Sequence, residues 1–403
     1  MSTGLCVCLI SFTPAHSNTS VNLSSDAYVR FYTVDKISNS SKKVTQSAQA
    51  QQLRIGMDIT HLEEDHSVSI KSRLTLSGDH WDGDRPLNNT GISGSNDDGG
   101  GGNTARLDYG YLEYVDLNKQ FTFRAGRQMA NWANCLTTCD DRRDRLMFMR
   151  RSGQNFFIGV YDKRYSGDYQ SSRDDGDMFA ILTMRFTQSY ELGLLAAYWQ
   201  NSDGSYVLED VFNFSPYIKY RYRNLQFNLL VNWLGQGSDN SWFPKSHTAA
   251  VFGVEASINK MMKLEAQTLQ VFNGGYLSTG YDTYLPHINS NPEHNQSLIQ
   301  AIRVGGLGTF TGGRKHRDSL YSTRLTYKMD NNWSISPSYG YLQQESSQKT
   351  EQHKTHHIAL KANYQINNFS QFSLSGARSF GDKHLTVGLA EFSINLPNLA
   401  LKQ

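Results

Sequence analysis

The densest grouping of chemically capable side chains in this 403-residue chain is the run Asp140-Asp141-Arg142-Arg143-Asp144-Arg145, with Arg124 and Arg127 a short way upstream. A guanidinium presents a planar fork of donors that matches a carboxylate or phosphate, so arginines in such numbers suit the holding of anions. Just before the run stand Cys135 and Cys139, close enough within a polar stretch to form a small-loop disulfide in an oxidising compartment. A metal site is the alternative for that pair, but no clustered His accompanies it. The acidic stretches Asn96-Asp97-Asp98-Gly99 and Arg173-Asp174-Asp175-Gly176-Asp177 offer oxygen ligands to calcium, yet neither follows an EF-hand register and Asp beside Gly is ordinary loop chemistry. His356 and His357 fall on opposite faces of any strand, and no Ser/His/Asp order, nucleophile elbow or phosphate-binding Gly motif is present. No catalysis, resident metal or organic cofactor is expected.

The elements that must position these side chains are strands. Within 211–233, Phe212, Phe214, Pro216, Ile218, Tyr220 and Tyr222 share one face, with Asn213, Ser215, Tyr217, Lys219, Arg221 and Arg223 on the other. After a short polar turn, Leu225, Phe227, Leu229, Val231 and Trp233 oppose Gln226, Asn228 and Asn232, with Leu230 the one exception. A period of two is the signature of a strand. Each run is about ten residues, longer than the usual ~5–6 and close to the ~9–11 that a tilted strand needs to cross a bilayer. Aromatic residues near the ends of the apolar face, and a polar, basic opposite face, predict a transmembrane hairpin.

Comparable segments recur at 27–31, 53–59, 68–76, 104–115, 120–126, 143–151, 155–163, 178–186, 191–199, 248–258, 262–271, 320–329, 333–342, 356–366, 369–380 and 385–396. With the central hairpin they make eighteen strands, and sixteen or twenty remain open because 143–151 and the long 273–317 connection are ambiguous. The connection at 273–317 either covers the mouth of a barrel or folds inward, with a short helix expected at 297–304. Short turns alternate with long loops throughout, so the fold class is an all-β, antiparallel up-and-down transmembrane barrel with short periplasmic turns and long extracellular loops. A change of face between Leu389 and Phe392 predicts a bulge near Ala390 or Glu391. Only 38% of the chain is hydrophobic and no run approaches the ~18 apolar residues of a spanning helix, which excludes a helical membrane protein. The formal charge of +2 gives no reason to expect a nucleic-acid partner. Residues 1–17, which include Cys6 and Cys8 in an apolar stretch, resemble a signal peptide lacking its usual basic start, and 18–403 form the single barrel domain.

At this point the chain resembles Gram-negative outer-membrane porins, most of all the eighteen-stranded substrate-specific kind, including alginate-export-type barrels. The local resemblance is Gly126-Arg127-Gln128 ending a strand, then Trp132, an Asp/Arg-rich loop and a returning strand. It implies a cell-outer-membrane location amid lipid and lipopolysaccharide, either a homotrimer or a monomer, and an arginine-rich conduit for acidic sugars in which Arg124, Arg127, Arg142, Arg143 and Arg145 take part. The ending Leu401-Lys402-Gln403 departs from the terminal aromatic residue common in such barrels.

If apolar positions meet lipid, the inward basic residues are Arg54, Lys71, Arg73, Arg124, Arg185, Lys219, Arg221, Arg223, Arg324, Lys328 and Lys361, against Asp58, Glu255 and Glu265. Such a lumen is electropositive and concentrates small anionic solutes. The 140–145 cluster either forms a constriction with a transverse field or is a self-neutralised loop outside the channel. The competing expectations are an interaction or structural barrel, enclosing a partner or binding a surface polymer, and a secreted soluble all-β protein.

Overall fold

Alternation places successive side chains on opposite sides of a pleated strand, and the computed structural model carries that pattern through eighteen antiparallel strands. It describes residues 18–37, 43–76, 106–165, 176–200, 211–235, 246–272, 281–285, 317–330, 332–345, 352–382 and 384–402. The leader, both calcium-like acidic stretches apart from Gly176 and Asp177, and the expected helix at 297–304 lie outside these residues. The first strands are β1 (Thr19–Ile37), β2 (Lys43–Leu62), β3 (His66–Thr75), β4 (Arg106–Asp116), β5 (Phe121–Trp132) and β6 (Thr138–Ser152). They are followed by β7 (Asn155–Tyr165), β8 (Gly176–Phe186), β9 (Tyr190–Gln200), β10 (Val211–Tyr222), β11 (Leu225–Gly235) and β12 (His247–Ser257). The last six are β13 (Met262–Phe272), β14 (Asp318–Lys328), β15 (Trp333–Glu345), β16 (Gln352–Asn367), β17 (Ser370–Gly381) and β18 (Leu385–Lys402).

Every strand pairs with its sequence neighbours, and β1 pairs with β18 from Ser20↔Lys402 to Lys36↔Leu385, closing the sheet. Closure removes both free edges, which an isolated sheet in hydrocarbon could not tolerate. The central hairpin has Phe214 opposite Trp233, Ile218 opposite Leu229 and Tyr220 opposite Phe227. Its two-residue turn places Arg223 at φ 55°, in the left-handed region.

The expected faces are realised. Phe212, Phe214, Leu229, Trp233, Ile181, Leu360 and Leu374 are exposed on the outer wall. Asn213, Ser215, Asn228 and Asn232 are buried inside, and so is Leu230, the exception in the alternation. An outer wall of this kind is stable only against hydrocarbon.

Two expectations need correction. Register across β17, β18 and β1 runs unbroken through Leu389, Ala390, Glu391 and Phe392, so no bulge lies there. Leu385, Val387 and Leu389 are apolar residues that face inward, the first two buried, and the apparent change of face reflects their composition. The register shift of this strand pair instead falls between Leu23 and Ser25. The 140–145 run, expected in a loop that leads into a strand at 143–151, belongs wholly to β6, where Arg143 opposes Gln128 and Asp144 opposes Arg127. Ion pairs made across neighbouring strands let so charged a sequence extend a ladder.

Candidate functional site

Two connections fold into the barrel and narrow it. After β5 the chain turns inward through Ala133, Asn134 and Cys135 at φ 48°, 53° and 68°. Three non-glycine residues in the left-handed region cost about 1–2 kcal/mol each, so burial and hydrogen bonds must offset them. Trp132 Nε1 donates to the Ser215 carbonyl across the lumen at 3.0 Å, and the Thr137 and Ser215 hydroxyls meet at 2.8 Å. Ser215 Oγ lies 2.9 Å from the Val231 carbonyl oxygen, and the Trp132 ring meets Tyr217 edge-on at 5.2 Å. Leu136 is wholly buried among inward side chains that include Leu195, Leu230 and Val251. Gly193 leaves the space the Tyr217 ring occupies; a Cβ there would collide with it. Cys135 is disulfide-bonded, while the side chain of its expected partner Cys139 lies outside those described.

The second intrusion is 281–285, part of the long connection between β13 and β14. Tyr281 OH donates to Gln267 Oε1 at 3.0 Å, Gln267 Nε2 to the Asp282 carbonyl at 3.2 Å, and Ser322 Oγ to the Thr283 carbonyl at 2.6 Å. Leu285 packs over Gly340, where a Cβ would not fit. Burial pushes the phenols of Tyr281 and Tyr284 well above their usual range, with nearby carboxylates adding to the shift, so both stay neutral. Between the two intrusions lies a cavity of about 180 Å³, lined among others by Asn134, Asn228, Glu255, Glu265, Asp282, Tyr284 and Arg324.

Inward cations are mostly held by carboxylates. Arg54 pairs with Asp26 at 2.6 Å, and Lys71 (2.8 Å) and Arg124 share Glu113. Arg73 and Arg142 share Asp108, and Arg145 pairs with Asp162. Lys219 meets Glu191 at 3.2 Å, while Arg324 bridges Glu265 at 2.6 Å and Asp282 at 3.3 Å. Arg30, not anticipated from the sequence, is buried and donates twice to Glu391, at 2.8 and 2.6 Å. Arg221 donates to Gln226 at 3.1 Å, and Arg223 sits at the turn over the Tyr222 ring. Among the described residues, Lys328 and Lys361 face inward with no carboxylate at ion-pair distance. Arg127 and Arg143 are half-buried where β5 and β6 pair.

Arg185 is a correction. It opposes Leu192, an exposed outer-wall residue, and therefore points outward near the β8–β9 turn. The expected acidic complement of Asp58, Glu255 and Glu265 is also too short. Asp26, Asp108, Glu113, Asp162, Glu191, Asp282 and Glu391 stand beside the inward cations, so pairing reduces the positive excess. Glu113 and Asp162 were legible from alternation. Asp108 was not, because the register shifts between Arg73 and Leu74 and brings it to the same side as Tyr109. Among the described residues, no group of three or more His, Cys, Asp or Glu side chains forms a metal site.

A closed barrel with an apolar exterior, a charged interior and inward-folded connections has the architecture of outer-membrane channel porins. Solved structures bear out that architecture. OccK9 (OpdG) of Pseudomonas aeruginosa superposes with TM-score 0.62 at 12% identity, over 95% of this chain and 99% of that one. OpdK of the same organism, crystallised with vanillate, gives 0.59 at 11% over 94% and 99%. The outer membrane channel DcaP of Acinetobacter baumannii gives 0.50 at 12% over 96% and 100%. At these identities the likeness is one of fold. No family model and no curated protein matches the sequence.

Proposed function

We propose that the chain is a channel of the outer membrane, not an enzyme, that passes small solutes through a waist formed by 132–137 and 281–285. The observation that carries this is the pair of intrusions latched to the inner wall, with ion-paired cations along the walls beside them. A rigid, charged, narrowed passage selects solutes by size and by the charge they present to it.

The preferred solutes are anionic, small carboxylates or acidic sugars among them. Among the described residues Lys328 and Lys361 have no carboxylate at ion-pair distance, and a guanidinium bound on one edge keeps N–H donors for a passing anion. OpdK, of the same fold, was crystallised with vanillate, an aromatic carboxylate. Reversal potentials under a salt gradient in planar bilayers test the preference, and cation selectivity would refute it. Residues 1–17 are read as an export signal, which N-terminal sequencing of the mature protein checks. Size measurement in detergent separates monomer from homotrimer.

A second reading, a barrel without free diffusion, is favoured by one observation. The apolar cluster around Leu136 seals part of the interior. Single-channel recording separates the two, because an occluded barrel conducts little.

A further inference from the structure

Among the described residues, the outer face of β16 and β17 carries two cations where hydrocarbon-facing side chains are expected. On β16 and β17 the outward row runs through Leu360, Leu374 and Ile358, all exposed and apolar, to Arg378 directly opposite Ile358. Further toward the end of the barrel that bears the long connections, His356 lies opposite Tyr341 and Phe380, and Lys354 opposite Gln343. Arg378 and Lys354 are both exposed, and neither has a carboxylate at ion-pair distance among the described residues. The nearest acidic residue is Asp382, just past the end of β17, whose Oδ2 accepts from the Lys354 backbone N–H at 2.6 Å; Glu345, diagonal to Lys354 on β15, and Asp35, two strands from Arg378 on β1, lie further off.

Other outward cations differ. Lys163 is paired with Asp177 at 3.2 Å, and Arg150 and Arg185 stand beside short turns at the opposite end. An unpaired guanidinium bordering an apolar band is unfavourable unless an anion reaches it. The aromatic setting is ordered: His356 lies flat on Phe380 at 5.3 Å, and its Nδ1 is 2.8 Å from the Tyr339 hydroxyl. Four residue steps separate Lys354 from the level of Arg378, about 13 Å along the strand, within the joint reach of both side chains. The exposed Arg317, whose carbonyl accepts from Glu345 N–H, extends the patch to the edge of β14.

We propose that this face of β16 and β17 binds the phosphorylated head group of lipopolysaccharide, with Arg378 and Lys354 on its phosphates and its acyl chains lying over Ile358, Leu360 and Leu374. This rests on the outer-membrane reading, in which the end bearing the long connections lies in the lipopolysaccharide leaflet. Charge complementarity specifies the occupant: an anionic, acylated molecule meets cations above an apolar wall.

The full chain in detergent, analysed by native mass spectrometry with diphosphoryl lipid A, tests it. The wild-type barrel retains lipid A, and dephosphorylated lipid A is retained far less. R378Q/K354Q weakens retention by about thirtyfold, taking the two cations at the interface together, while the charge-conserving R378K/K354R and the opposite-end R150Q retain it. Equal retention by R378Q/K354Q, or of both lipids by the wild type, overturns the proposal. Bilayer conductance is read in parallel: a conducting barrel that ignores lipid phosphate removes only this inference, whereas a barrel that binds lipid A and conducts nothing removes the channel reading.

Discussion

Glu113 accepts from Lys71 and Arg124, so one carboxylate governs two cations on the inner wall. Replacing it with Gln keeps the shape and frees both, and anion preference measured by reversal potential rises; an unchanged or reduced preference would place these side chains off the permeation path. Arg145 and Asp162 behave differently, since their side chains are only 5% and 0% exposed. Asp162→Ala takes its bidentate carboxylate from a buried guanidinium and costs about 3–5 kcal/mol, read as a lower urea midpoint for unfolding. Tyr281 and Tyr284 supply a pH signature. Their phenols are raised by burial, so the packing of 281–285 is fully present below the ordinary phenol value near ~10 and weakens as pH climbs beyond it. Conductance should therefore stay level on this account from neutrality to about pH 10; a transition near neutrality would assign control to other groups.

At the scale of elements, the strands are a frame and the two intrusions decide what passes. Leu136 is wholly buried although it belongs to a connection, so Leu136→Ala removes about 2–5 kcal/mol of local packing. Single-channel conductance then rises while heat-modifiable migration on gels, which reports the closed barrel, is kept. Gly340→Ala makes an independent test at the other intrusion, because its methyl group displaces Leu285 from the wall of β15. Larger conductance is again expected, and no change in either variant would remove these segments from the waist. The strands themselves were readable in advance: the hairpin β10–β11 appears in sequence as two alternating runs because a pleat sorts neighbours locally. Its exception, Leu230, belongs to an apolar patch inside the barrel, sealed by a segment that alternation does not describe.

Across the whole molecule, an apolar exterior and a closed ring of eighteen strands follow from many repetitions of one local pattern. The sequence by itself determined the strand series, the outward face of residues such as Phe214 and Leu374, and the inward face of Lys71, Arg124 and Arg324. Tertiary structure alone decided which carboxylate meets which cation, the outward direction of Arg185, and the folding of 132–137 and 281–285 into the lumen. The reason is range. Side-chain alternation is set by each residue's immediate neighbours, but Asp108 reaches Arg73 and Arg142 only through a register shift, and Trp132 finds Ser215 only once the sheet has curved shut.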